Sequence, residues 1–97
     1  MIDHISAVQA RIIKHAAYDG YGLVLFDWMD KRLQPSNLFK CDTTGIVLWV
    51  AGVPGPNEKY VSFDVADQTT IYASTFSGYR VRIDLLDGSS SEPTFTK

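Results

Sequence analysis

The sequence predicts an α+β domain, mainly β, in which an N-terminal helix packs on one twisted antiparallel sheet of six or seven strands. Three observations lead there. Ile5, Val8, Ile12 and Ala16 recur at helical spacing through residues 3–17; from Tyr21 onward the apolar period falls to two; and Gly- or Pro-bearing turns punctuate the alternation. The alternative is all-β, with residues 9–16 as a strand and two blade-like four-stranded units, because Arg11-Ile12-Ile13 carries β-branched residues that suit a hairpin.

Taken in order, Asp3 can accept hydrogen bonds from the free N–H groups of a first helical turn, and Gly20 supplies a stop just beyond Ala17. Tyr21 to Trp28 reads as a central strand, with Leu23 and Leu25 facing one way and Val24, Phe26 and Trp28 the other. Residues 29–36 are polar and contain Pro35, so they form a loop. Asn37 to Asp42 resumes as a strand, and Thr43-Thr44-Gly45 reverses it into the apolar run that follows. The stretch 53–59, VPGPNEK, is the clearest loop and divides the sheet in two. Three strands come after it: Tyr60 to Val65 with Val61, Phe63 and Val65 inward, Thr69 to Phe76, and Tyr79 to Leu85 with Val81 and Ile83 inward. Asp87-Gly88 makes a tight turn, and the tail EPTFTK returns as an edge strand beside which Pro93 discourages further pairing.

A weak internal repeat runs through this pattern. NLFKCDTTGIVLW and YRVRIDLLDGSSSEPTF both proceed from an alternating strand to Asp42 or Asp84, then to a turn with Gly45 or Gly88, then to a returning strand. These hairpins resemble the outer hairpins of PQQ-type β-propeller blades over residues 37–50 and 61–95. The resemblance implies local blade geometry that another copy of the chain could complete, and it carries over no cofactor-binding residue. In size and overall composition the chain also resembles small bacterial proteins of unknown function carried on mobile gene cassettes of the integron type.

The chain has 97 residues, the size of a single domain spanning 1–97, and its 45% hydrophobic, 21% charged composition is that of a globular protein. A net charge of −2 without any run of like charge argues against a nucleic-acid backbone or an anionic membrane as partner. The longest apolar run, Gly45 to Val53, is far shorter than the ~20 residues of a membrane-spanning helix. One cysteine, Cys41, forms no intramolecular disulfide, and a cytoplasmic setting follows as the expectation.

Motifs for chemistry are scarce. Gly20-Tyr21-Gly22 lacks the third glycine of a dinucleotide fingerprint and leads into a strand, so it reads as a turn. His4 and His15 are about three helical turns apart and have no Cys partner, so no metal site is expected. Cys41 alternates with Phe39 and reads as a buried structural thiol. No catalytic residue, cofactor or metal is therefore assigned. The candidate binding residues are Trp28, Tyr72 and Tyr79, which combine an apolar body with a polar tip, Arg80 and Arg82, which share one strand face, and Asp27, a carboxylate within an apolar strand. Tyr72 and Tyr79 flank the Ser77-Gly78 turn and are expected at the surface.

The leading reading is a binding or interaction module with an aromatic-rich surface for a protein partner or small ligand, self-associating as a dimer or tetramer because a chain this short builds only a modest core. A second is a small enzyme with Asp27 or Asp64 as base and Arg80 or Arg82 as anion clamp in a cleft between helix and sheet. A third is an immunity or antitoxin-like protein, suggested by mild acidity.

Overall fold

The computed structural model describes residues 2–30, 32–33, 36–55 and 58–91, with the backbone of Thr94–Phe95. Among the described residues eight strands follow one another: β1 Ile12–Tyr18, β2 Tyr21–Phe26, β3 Leu38–Cys41, β4 Val47–Val50, β5 Tyr60–Val65, β6 Thr70–Thr75, β7 Tyr79–Asp84 and the two-residue β8 Thr94–Phe95. They form two antiparallel up-and-down sheets, β1-β2-β3-β4 and β5-β6-β7-β8, with three long strands in the second. The sheets stack face to face.

This overturns the N-terminal helix on a single sheet. Among the described residues there is no α-helix; Ile5–Ala7 is a single 3-10 turn, and residues 12–18 are strand. The physical reason is local. A lone amphipathic helix of some 15 residues is marginal in water, whereas β1 pairs with β2 from Ile12↔Phe26 to Tyr18↔Tyr21 and turns at Asp19-Gly20. Gly20, with φ +86°, serves that hairpin rather than ending a helix. The single sheet is also overturned: it is cut between the end of β4 at Val50 and the start of β5 at Tyr60, which belong to different layers. Pro35, Pro56 and Pro93, to which the sequence assigns loop or blocked-edge roles, lie outside the described residues.

The core lies between the sheets, where Leu23, Leu25, Leu38 and Trp49 of the first meet Tyr60, Phe63, Ile71, Val81 and Ile83 of the second. A smaller cluster, Val24, Phe26, Leu33, Phe39 and Cys41, fills the opposite face of the first sheet and is covered by Ile2, Ile5, Val8 and Ala10. β2 thus buries both faces, as its unbroken apolar run requires.

Two bulges correct the simple alternation. β3 pairs Lys40↔Trp49 but Cys41↔Val47, so Leu48 is the extra residue; Trp49 turns into the core while Val47 packs on the outer cluster. In β5 the register shifts between Tyr60 and Ser62, so Tyr60 and Phe63 both point inward. The expectation that Val61 faces inward with Phe63 fails for that reason, and Val61 is only half-buried, whereas Val65 shares the face of Phe63 opposite inward Ile71 but is 36% exposed at the end of the strand.

Polar groups tie the layers together. Asn37 is fully buried; its Nδ2 donates to the carbonyls of Phe26 and Tyr60 at 2.8 Å each, and its Oδ1 accepts from Tyr60 N at 2.9 Å. Trp49 Nε1 and Lys40 Nζ both donate to Leu85 O, and Lys14 Nζ donates to Phe63 O. Gly88 closes this end at φ +77°, with no room for a side chain, since a Cβ there would lie 2.6 Å from the Trp49 ring.

Replacing Asn37 strands one buried N–H and two buried carbonyls, each worth about 1–3 kcal/mol of desolvation. Asn37→Ala is expected to lower unfolding free energy by about 3 kcal/mol or more, read as a fall in urea midpoint with little change in slope. A loss below about 1 kcal/mol would show that Asn37 is not the tie described.

Candidate functional site

Strict alternation along β6 and β7 sends Ile71, Ala73, Val81 and Ile83 into the core and leaves the intervening side chains on the opposite face. That outer face of the second sheet carries Ser62 and Asp64 from β5, Thr70, Tyr72 and Ser74 from β6, and Arg80, Arg82 and Asp84 from β7. Pairing sets them in rows: Asp64↔Tyr72↔Arg82, Ser62↔Ser74↔Arg80 and Thr70↔Asp84. Arg80 lies diagonal to Tyr72, and its guanidinium sits 4.6 Å from the ring centroid.

Among the described residues neither Arg80 nor Arg82 is in an ion pair. Asp64, the nearest carboxylate in the Tyr72 row, instead lies 4.0 Å from Lys14 Nζ and is 75% exposed. The rest of the face is polar, with Thr70 buried, Ser62 and Ser74 half-buried and Asp84 exposed. The face therefore offers two guanidinium groups, one positioned against an aromatic ring, without a cover from the other described residues.

Beside Arg82 the face sinks into an open depression of about 280 Å³. Arg82 and Asp84 form its middle. Thr69 and Thr70 stand on one side, and residues 89–91 run along the other, where Asp84 N donates to Ser89 O and Ser91 N donates to Arg82 O. These hydroxyl residues were not candidates from sequence, because Ser89 to Ser91 read only as the end of an Asp-Gly turn. The signal available was their spacing, which lets the chain return along β7.

The other sequence candidates lie elsewhere. Asp27 sits just past β2, where its Oδ1 accepts from Met29 N at 2.9 Å and its Oδ2 is 3.8 Å from Arg11; it shapes the turn after the strand. Trp28 is half-buried in that turn and stacks on Phe76, exposed at the β6–β7 turn, at 4.4 Å. Tyr79, half-buried like Tyr72, packs against the core from the opposite face of the sheet. The structure thus brings Tyr72, Arg80 and Arg82 together and separates Asp27, Trp28 and Tyr79 from them.

The histidines and the thiol have structural surroundings. His4 Nε2–H donates to Thr44 O and its Nδ1 accepts from Ser6 N, which pins the N-terminal segment to the β3–β4 turn. His15 is exposed on β1. Cys41 is buried, its thiol pushed up from the ordinary range first by burial and then by nearby Asp42. Asp30 is held at about 2, chiefly by the hydrogen bond from the Arg32 side chain, in an exposed pair that anchors the β2–β3 loop. Among the described residues no three His, Cys, Asp or Glu side chains gather as a metal site, and no helix is long and apolar enough to cross a membrane.

A family model described as a domain of unknown function, DUF7957, matches residues 3–95. No curated protein and no solved structure matches the chain.

Because Tyr72, Arg80 and Arg82 touch little that the core needs, Tyr72→Ala, Arg80→Ala and Arg82→Ala are each expected to change stability by no more than about 1 kcal/mol. Thermal unfolding of the three variants checks this; a larger loss in any one would assign that residue to the scaffold.

Proposed function

The chain belongs to that family of domains without an assigned activity, and from this premise we propose that it is a binding module whose recognition surface is the outer face of the second sheet. The observation that carries the reading is exposed Arg80 held against half-buried Tyr72, with Arg82 beside it, on a face that no other segment of the described chain covers. Arg and Tyr are the residue types that concentrate binding energy at interfaces, and an aromatic ring that holds a guanidinium lowers the ordering cost of contact. The enzyme reading is less well supported. Asp27 belongs to a turn of the first sheet, and Asp64 shares the face of the arginines but stands in open solvent beside Lys14, without the enclosure that general-base chemistry uses.

Fragment screening by amide-shift mapping tests the reading. Acidic, aromatic and polar fragments are expected to perturb Tyr72, Arg80 and Arg82 preferentially, and the Tyr72→Ala variant is expected to lose at least half of those responses. Hits that instead gather in the depression by His15 and Cys41 on the first sheet would move the site there.

A second reading, self-association, rests on β4. This strand ends the first sheet, and the side chains of Ile46 just before it and of its Leu48 and Val50 are 49%, 51% and 36% exposed. Residues 3–5 pair only with residues 45–47, so Leu48–Val50 has no neighbouring strand on its outer side among the described residues. An exposed apolar edge of this kind pairs readily with a second copy. Blade-like stacking with another copy would have to use the second sheet, because residues 2–10 occupy the outer face of the first. Light scattering over a dilution series is expected to show a dimer in the native chain and a monomer for Leu48→Lys; a native chain monomeric at every concentration would refute self-association.

A further inference from the structure

The depression beside Arg82 has a chemistry of its own. Its two charged side chains have opposite sign and stand two residues apart on the same face of β7, so Arg82 supplies donors and Asp84 an acceptor. Asp84 Oδ1 accepts from Leu86 N at 2.8 Å. Among the described residues the Arg82 guanidinium makes no hydrogen bond, and its field extends also to Asp67. Around this pair stand the exposed residues Ser89 and Ser91, whose side chains carry hydroxyls that donate and accept alike, while Ser90 lines the rim with its Oγ turned toward Gly52. Thr69 Oγ1 donates to Asp67 and keeps its lone pairs, and buried Thr70 lies against it at 3.3 Å.

Charge decides between ligand classes. A phosphate or sulfate would gain Arg82 but face Asp84 at once, with Asp67 nearby, and like charges at such range are unfavourable. A cation would meet the reverse problem at Arg82. A neutral molecule with several hydroxyls meets neither: each hydroxyl can donate to Asp84, accept from Arg82, or exchange bonds with serine and threonine. At about 280 Å³ the depression lies just below the usual range for small-molecule pockets, so it accommodates one small ring rather than an extended ligand.

We propose that the depression formed by Arg82, Asp84, Thr69, Thr70 and Ser89 to Ser91 is a subsite for a neutral polyhydroxyl ring, a single sugar unit of a saccharide. The inference rests on the reading of the second sheet's outer face as the binding surface and names the ligand class of that face. Arg82 donates to one ring hydroxyl and Asp84 accepts from its neighbour. The site is open to solvent, so the affinity for a free monosaccharide is weak, with Kd on the order of 1–10 mM.

The test is amide and arginine side-chain shift mapping of the full chain with glucose, galactose, mannose and N-acetylglucosamine, each to about 100 mM, beside inorganic phosphate and glycerol as controls. At least one sugar is expected to give saturable shifts at Thr69, Thr70 and Ser89 to Ser91, while glycerol and phosphate give none that saturate. Arg82→Ala and Asp84→Asn are each expected to weaken that sugar at least tenfold; Asp84→Asn keeps the acceptor for Leu86 N, so the turn is preserved. Saturable shifts from phosphate and from no sugar would overturn the saccharide and leave the binding face standing. Sugar shifts that survive both substitutions would overturn the subsite. Silence from every sugar would overturn it as well, and the fragment responses at Tyr72 then show separately whether the face binds at all.

Discussion

The stacking of the two sheets depends on Asn37. Its amide replaces, with one side chain, the backbone ladder that the two layers cannot form with each other: it donates to Phe26 O at the end of β2 and exchanges bonds with both the N–H and the C=O of Tyr60 at the start of β5. Three partners for a fully buried amide leave no polar atom without a partner there, which is the condition under which a buried polar group stabilises instead of costing. The same residue opens β3. The return of β2 into β3 and the entry of the chain into the second sheet are therefore held at one point, and an apolar residue of similar size could meet neither demand.

Around that point the apolar core is framed by donors that reach from the first sheet to backbone carbonyls of the second. Lys14, Lys40 and Trp49 do so from three different strands. Each lysine also lies near an aromatic ring, Lys14 at 4.5 Å from Phe63 and Lys40 at 4.8 Å from Tyr21, so the stems cover apolar surface while the ammonium groups remain at the rim. For a chain of this length the gain is specificity of stacking. Apolar faces alone fix neither the angle nor the offset between sheets, whereas directed bonds to Leu85 O and Phe63 O do.

The strands of the second sheet, the inward set Val81 and Ile83, the buried Cys41 and the shared face of Arg80 and Arg82 were legible in the sequence, because regular alternation records which face is buried. The first 18 residues were legible only as two alternatives, helix or strand, for a reason specific to them. Ile5 and Val8 cover the outer cluster, Ala16 packs on the inner one and Ile12 is exposed, so unrelated placements along the first sheet mimic one helical stripe. Gly20 adds to the ambiguity, since a positive φ ends a helix and closes a hairpin equally well. The bulges at Leu48 and Val61 were hidden as well. They shift one residue without changing composition, and only the partner strand shows which residue is the extra one. Asn37, the tie itself, carries no sequence signal of its role, because its partners are main-chain atoms.

The two sheets differ in what their outer faces leave free, and this places the capacity for function. The first sheet carries Val24, Phe26 and Phe39 outward, so residues 2–10 are committed to covering them and changes there fall on stability. The second sheet carries Tyr72, Ser74, Arg80 and Arg82 outward and needs no cover, so its side chains can vary with a ligand while the core stays intact. The Arg80–Tyr72 contact illustrates the division. An exposed cation–π pair contributes about 0.5–1 kcal/mol, too little to hold a sheet together, yet it narrows the positions open to the guanidinium before any ligand arrives. An ordering cost met in the free protein does not recur on binding, so a contact that is minor for the fold can be decisive for recognition.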